Sequence, residues 1–283
     1  MTGRVRQSAG LKRERRLRIE AGRFTVRLAE TEDDVAAAQR LRYRVFVEEM
    51  GANASPEERA VRREIDEFDP HFDHLLLIDE EAGTGDPLDR CAGAYRLMTG
   101  RRAQEGIGFY SATEYDLSKL IDYPRETVEL GRSCVGEAYR GGAGMHLLWT
   151  GLGRYVTDRG IEIMFGVASF HGADPGPLAM PLSYLHWNHL APEDLRVRAR
   201  ADSFQRMDLL PPEKVSKAEA MRLTPALIKA YLRLGGFVGE GAFVDHDFNT
   251  VDVCLLMDTS RMVDRYRSFY SREKRGATTR ILG

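Results

Sequence analysis

Cysteine is scarce in this sequence: Cys91, Cys134 and Cys254 stand far apart without C-x-x-C spacing, which excludes a disulfide scaffold and speaks against a zinc site. Long apolar runs are missing too. None approaches the roughly 18 residues of a membrane span; the strongest, "LLLI" at 75–78 and "VCLLM" at 253–257, have the length of buried strands. The opening "MTGRVRQSAG" is charged but lacks an apolar h-region, so no secretory signal is expected. Internal repeats and low-complexity segments are absent. A serine-hydrolase elbow is missed by one position, because in "GRSCVG" the fifth residue from Gly131 is Val135 where G-x-S-x-G needs glycine. Ser133 is therefore read as an ordinary strand residue. These absences leave a reduced, cytoplasmic protein with no metal site expected.

The residues that are present favour a folded domain. With 283 residues, 43% of them hydrophobic, the chain can bury a large core. The net charge of -2 hides a split: residues 1–23 hold eight basic and two acidic groups, a balance of +6, so the rest carries -8. The expected organisation is a basic arm over 1–22, one domain over 23–268 and a charged tail over 269–283. Within the domain, a Pro-rich insertion at about 173–212 is expected to cover the sheet. The arm suits peripheral contact with an anionic membrane. Nucleic acid is not an expected partner, because the arm has no aromatic residue for base stacking and the body is acidic.

Strands followed by helices, with a mixed sheet, point to an α/β or α+β layered domain. "RFTVRLAE" reads as a strand; Thr31 followed by three acids reads as the N-cap of a helix through "VAAAQRLRYRVFVEEM". "FDHLLLID" and "CAGAYRLMT" read as a pair of strands. The richest stretch, "ELGRSCVGEAYRGGAGMHLLW" at 129–149, is a strand, a glycine turn and the start of a helix. A turn of that kind offers free backbone N–H groups to a phosphate or an oxyanion. Gly142 and Gly144 are its candidate phosphate binders, but the acetyl-CoA pattern Q/R-x-x-G-x-G/A is incomplete, with Tyr139 where Gln or Arg belongs. A loosened turn leans toward a donor that brings a single phosphate diester.

Charges inside apolar segments imply buried partners, since an unpaired buried charge is costly. By that criterion Arg44, Asp66, Asp69, Arg96, Glu129 and Arg132 are the candidate site residues. In a regular strand Glu129 and Arg132 face opposite sides, and they share a face only if a bulge intervenes, for which Gly131 is suited.

These residues carry a resemblance. "LRYRVFVEEMG", "EIDEFDPHFDHLLLID", "YRLMTG" and "ELGRSCV" resemble, in order and spacing, the acyl-homoserine-lactone synthases, with their R-x-x-F, D-x-x-D, R-L and E-x-x-R elements. The first element fits least well: only one residue separates Arg44 from Phe46, and Tyr43 and Arg42 offer other registers. "YRGGAGMHLLWTGLGRY", "MFGVASFHGADP" and "PALIKAYLRLGGFVGEGAFVDHDFNTVDVCLLMD" resemble the bacterial L-ornithine N-α-acyltransferases of ornithine-lipid synthesis over about residues 24–265. That resemblance implies a GNAT-type fold, a 3-hydroxyacyl thioester on the 4′-phosphopantetheine of an acyl carrier protein as donor, and the α-amino group of L-ornithine as acceptor. The product implied is lyso-ornithine lipid, with no cofactor resident on the enzyme. An N-acyl-amino-acid or homoserine-lactone synthase is the alternative, sharing the donor and changing the acceptor.

The chemistry needs a proton acceptor, because an amine attacks a thioester only when neutral. Glu129 is the candidate base, and the backbone N–H groups of Cys134, Val135 and Gly136 are candidate oxyanion donors. An amino-acid carboxylate calls for an arginine fork and a distal ammonium for a carboxylate, so Arg132, Arg96, Arg44, Asp66 and Asp69 are candidate substrate contacts.

Overall fold

The computed structural model describes residues 17–261 apart from 83–84 and 141–142. Gly142, most of the basic arm and the charged tail lie outside the described residues. The strands are β1 (Arg18–Ala21), β2 (Phe24–Leu28), β3 (Asp73–Asp79), β4 (Cys91–Thr99), β5 (Tyr115–Asp116), β6 (Thr127–Val135), β7 (Ile163–His171), β8 (Arg198–Ala199), β9 (Phe204–Gln205), β10 (Phe237–Val238), β11 (Ala242–Asp245) and β12 (Thr250–Asp258). The helices are α1 (Glu32–Arg42), α2 (Pro56–Val61), α3 (Gly100–Glu105), α4 (Ser118–Ile121), α5 (Ala143–Arg159), α6 (Ala179–His189), α7 (Lys217–Leu223) and α8 (Ala226–Arg233). One mixed sheet runs β1-β2-β3-β4-β6-β7-β12-β11-β9, with β10 also on β12. Only β6 and β7 pair in parallel among its described strands. β1 falls inside the span read as arm: it pairs with β2, Ile19 opposite Val26, and Leu17 is buried in the core.

Strand alternation sorts the core into three clusters. On one face Leu75, Leu77, Leu97, Val128, Leu130 and Val253 meet Leu148 and Leu152 of α5, Leu182 of α6 and Ile228 of α8. Full burial of each such side chain contributes about 1.5–3 kcal/mol. The other face carries two clusters. Leu76, Ile78, Ala94 and Cys134 pack under Ala37, Ala38 and Leu41 of α1, whereas Met98, Phe165, Cys254 and Leu256 meet Phe68, Phe109 and Leu195. On β4 the residue between Ala94 and Met98 on that face is Arg96, so a buried charge separates the two apolar patches. The Pro-rich insertion contributes to both faces, with Leu182 and Leu185 on one and Leu195 and Val197 on the other. It therefore wraps the sheet and does not merely cover one side.

Two local features position the site. Thr31 caps α1 as its sequence suggests: its hydroxyl accepts from Asp34 N at 3.2 Å and the Asp34 carboxylate accepts from Thr31 N at 3.2 Å. Beyond Arg42 the helix widens into a π-helical stretch, Tyr43–Glu49, in which Met50 N donates to Val45 O at 3.1 Å. Wider turns of this kind recur at functional sites. Between β6 and β7 the parallel register extends only from Thr127↔Ile163 to Glu129↔Phe165, although each strand has nine residues. Gly166, one residue beyond the last paired rung, allows the close approach there, since a Cβ would stand 2.0 Å from Leu130 O. Past that point the two strands part.

Candidate active site

The parting of β6 coincides with a bulge against β4. Arg96 pairs with Gly131 and Ala94 with Cys134, so Tyr95 alone faces both Arg132 and Ser133. The left-handed residue is Arg132, with φ 48°, one position beyond the expected Gly131. A non-glycine residue held there stores about 1–3 kcal/mol. The bulge brings Glu129 and Arg132 to one face, where both meet Tyr110: Glu129 Oε2 accepts from Tyr110 N at 2.8 Å, and the Arg132 guanidinium lies 4.6 Å from the Tyr110 ring centroid. The Phe248 ring, 4.9 Å away, is a second stacking surface for that guanidinium.

Behind this pair lies a buried ion network. Arg42, 1% exposed, donates from Nη1 to Asp69 Oδ1 at 2.6 Å and from Nη2 to Asp69 Oδ2 at 2.7 Å, and its Nε pairs with Glu64 Oε2. Arg96 donates from Nη1 to both Asp66 oxygens at 2.6 Å and to Asp69 Oδ1 at 3.1 Å. Arg132 reaches Glu64 Oε1 from Nε at 3.0 Å and Asp66 Oδ2 from Nη2 at 3.3 Å. Three arginines thus meet three carboxylates. Burial alone works to raise the Asp69 carboxyl, but Arg42 and Arg96 outweigh it and hold it well below the usual carboxylate range.

Glu129 sits apart from the arginine forks. Both of its oxygens accept backbone N–H groups, Oε1 from Ser111 at 2.5 Å and Oε2 from Tyr110 at 2.8 Å, so it holds the Tyr110–Thr113 turn. Burial pushes its carboxyl up against the opposing pull of those bonds. In consequence Glu129→Gln is not a neutral isostere: its amide would turn an N–H toward one of two N–H donors.

Arg132 on β6 faces a groove of about 740 Å³, lined among others by Glu64, Asp66, Tyr110, Glu114 and Asp245. A smaller cleft of about 210 Å³ lies by Gly100, Tyr123 and Thr127, at the opposite end of β6. At the large groove Glu114 and Asp245 line the wall, and with the buried Asp252 they bring carboxylate oxygens within 4.8 Å of one another. Burial, with the neighbouring Asp252 and Asp245, raises the Glu114 carboxyl well above its ordinary value; burial also raises Asp252, to about 6, with Asp245 adding to the effect. Spacing in the sequence did not single out this trio or Glu64. Asp252 did carry a signal, being a charge inside the core-like "VDVCLLMD".

The structure gathers Asp66, Asp69, Arg96, Glu129 and Arg132 on one face and leaves Arg44 out. Arg44 is half-exposed and 3.8 Å from Asp89, because the buried register on this helix belongs to Arg42. The three oxyanion candidates also separate. Gly136 N donates to Ala92 O at 2.9 Å and Cys134 pairs with Ala94, so both N–H groups point at β4. Alternation turns Val135 N–H toward the edge that β7 has left. The Cys134 thiol is buried and pushed up by that burial, which leaves it a poor nucleophile. Gly144 lies in the first turn of α5, close enough to Leu77 that an added Cβ would stand 3.1 Å from its Cδ2.

Comparison with known proteins agrees with this architecture. Residues 41–150 match the model of the acetyltransferase (GNAT) domain. The L-ornithine N(alpha)-acyltransferase of Rhodobacter capsulatus is 53% identical over 253 residues, covering 89% of this chain and 96% of the relative. The chain belongs to the L-ornithine N(alpha)-acyltransferase family. The Brucella abortus member is 43% identical over 89% of this chain and 90% of its own length. Among solved structures, an N-acyl amino acid synthase from uncultured soil microbes is similar with a TM-score of 0.48 and 10% identity, covering 84% of this chain and 92% of that one. As a member of its family the protein is an N-acyltransferase of GNAT type. Among the described residues no helix is long and apolar enough to cross a membrane.

Proposed function

We propose that the protein moves a 3-hydroxyacyl group from the 4′-phosphopantetheine thioester of an acyl carrier protein to the α-amino group of L-ornithine, giving lyso-ornithine lipid. The observation that carries this reading is a groove beside β6 whose charged lining is acidic but for Arg132 and His246, on a sheet whose β6 and β7 part beyond Glu129. A pantetheine arm is a chain of amides and needs backbone partners, which the parted strand edges offer. Ornithine carries one carboxylate and two amines, and a groove with one stacked arginine among several acids complements that balance. The names of the relatives supply the acceptor, and the charge of the groove agrees with it.

In this reading Arg132, held between Tyr110 and Phe248, takes the carboxylate of the acceptor. Arg42, Arg96 and Asp69, buried behind the groove, fix Arg132 through Glu64 and Asp66 and do not touch substrate. Glu129, the last residue in register before the strands part, is the base we assign to a thioester carbonyl bound in the gap. The neutral amine attacks that carbon, the C–S bond breaks, the amine proton passes to Glu129, and the pantetheine sulfur leaves as a thiolate that is then protonated. Val135 N–H faces the developing oxyanion. The incomplete glycine turn and the acidity of carrier proteins favour the carrier over coenzyme A, and the basic residues before Leu17 are drawn to anionic membrane or carrier.

Purified protein incubated with ornithine and matched 3-hydroxyacyl donors tests this. Turnover is expected at far higher kcat/KM with the carrier-protein thioester than with the acyl-CoA. Equal efficiency overturns the donor, and no ornithine amide with either donor overturns the acceptor.

A further inference from the structure

Glu114 and Asp252 are conspicuous among the described residues. Each is more than nine-tenths buried, yet Glu114 Oε2 and Asp252 Oδ1 have no hydrogen-bond partner, although leaving buried carboxylate oxygens unmatched is expensive. Their oxygens converge with one from the half-buried Asp245 to within 4.8 Å. Three N–H···O bonds of 2.7–3.0 Å leaving one nitrogen at tetrahedral angles place their acceptors about 4.4–4.9 Å apart. The trio is thus close enough for one ammonium to reach all three carboxylates. It also lies in the groove that holds Arg132, with Glu114, Asp245 and Arg132 all on its wall.

We infer that Glu114, Asp245 and Asp252 bind the side-chain ammonium of the acceptor and so select a diamino acid over a monoamino acid. This rests on the reading that the groove takes ornithine and adds the group that recognises its far end. The α-carboxylate is held at Arg132 and the distal ammonium at the trio, which leaves the α-amine between them. Burial and mutual repulsion of the acids make the empty receptor unfavourable, and a bound cation relieves both. An ammonium with three donors and one charge fits better here than a divalent ion: the three carboxylates cluster in a substrate-sized groove, and hard divalent cations take six or more oxygens.

The test compares ornithine with norvaline, which lacks only the distal amine, in the wild type and in the double variant Glu114→Gln/Asp252→Asn. Both substitutions keep shape and remove a disfavoured buried charge, so thermal melts are expected to stay at or above the wild-type midpoint. The wild type should prefer ornithine by roughly 10⁴–10⁵-fold in kcat/KM, as sites built around a buried polar contact do. In the double variant the ratio should fall to within about tenfold, the loss falling mainly on ornithine. Calorimetric binding of the two amino acids gives the same comparison without turnover. Discrimination in binding with no acylation would keep the receptor and sink the proposed reaction, whereas acylation without discrimination would sink the receptor and keep the reaction. An unchanged ratio in the double variant overturns the inference. So does an equal loss on both acceptors, which would make the acids part of the chemistry. Titration with Mg²⁺ or Ca²⁺ showing a site that the double variant abolishes also overturns it.

Discussion

Asp69→Asn is the sharpest probe of the buried network. The two oxygens of Asp69 accept from Arg42 Nη1 at 2.6 Å and Nη2 at 2.7 Å, from Gln39 Nε2 at 2.9 Å, from Arg96 Nη1 at 3.1 Å and from Asp66 N at 3.3 Å. An asparagine must point its amide N–H at one of these donors. It also leaves three arginines facing two carboxylates in a region where Arg42 and Arg96 are 1% exposed. Removing one partner of a buried pair costs about 3–5 kcal/mol, which for a chain of this size lowers the melting midpoint by roughly 6–20 °C. Urea denaturation followed by the fluorescence of Trp149 and Trp187 measures the loss. Arg44→Met, on the same helix but half-exposed opposite Asp89, should cost less than about 1 kcal/mol. The pH dependence has a definite sign. The folded-state carboxyl of Asp69 is held low, so its contribution is present above its unfolded value, about pH 4, and wanes as pH falls below that. A loss below about 1 kcal/mol at pH 7, or an Arg44 variant as damaging as Asp69→Asn, would refute the network as the element that holds the site.

Three further outcomes are expected. Gly166→Ala would bring a Cβ to 2.0 Å from Leu130 O; a backbone contact cannot swing aside, so a loss of about 1–3 kcal/mol or more is expected by thermal melt, and a neutral effect would show that the β6–β7 rung is loose. Asp252→Asn should stabilise the unliganded protein: the folded carboxyl is raised to about 6 against an unfolded value near 4, so its cost grows as pH rises through that window, and the variant should gain on the order of 2–3 kcal/mol between pH 4 and pH 7. A flat difference across that range would contradict the burial of the trio. Removal of residues 1–16, six basic and one acidic, should lower binding to anionic vesicles by up to about 1 kcal/mol for each basic residue that reaches the surface and preserve turnover of soluble substrates. Salt-insensitive vesicle binding after the deletion would place the contact elsewhere.

Much of this architecture is legible in local pattern. β6, the glycine turn and α5 follow from a change of apolar period, and the Thr31 cap follows from three acids behind a threonine. Asp66, Asp69, Arg96, Glu129 and Arg132 could be grouped before their contacts were known, because each is a charge in an apolar segment. The choice of Arg44 over Arg42 failed for a specific reason. The π-helical stretch at Tyr43–Glu49 breaks the 3.6-residue phase on which inward and outward positions are counted. Gly136 failed as an oxyanion donor because hydrogen-bond direction depends on which rung of the β4–β6 ladder is closed, and residue type does not report that. Glu114 and Asp245 were not legible at all, since they meet Asp252 only through the folding of β11 and β12 against the turn that Glu129 holds.

The reaction itself is tested most directly by the lipid that accumulates when the chain is expressed in a host that makes no ornithine lipid. Tandem mass spectrometry should find a 3-hydroxyacyl amide of ornithine with the acyl group on the α-nitrogen and the δ-amine free. No ornithine-containing lipid, an acyl group on the δ-nitrogen, or an amide of a different amino acid in its place would contradict α-N-acylation of ornithine as the activity of this groove.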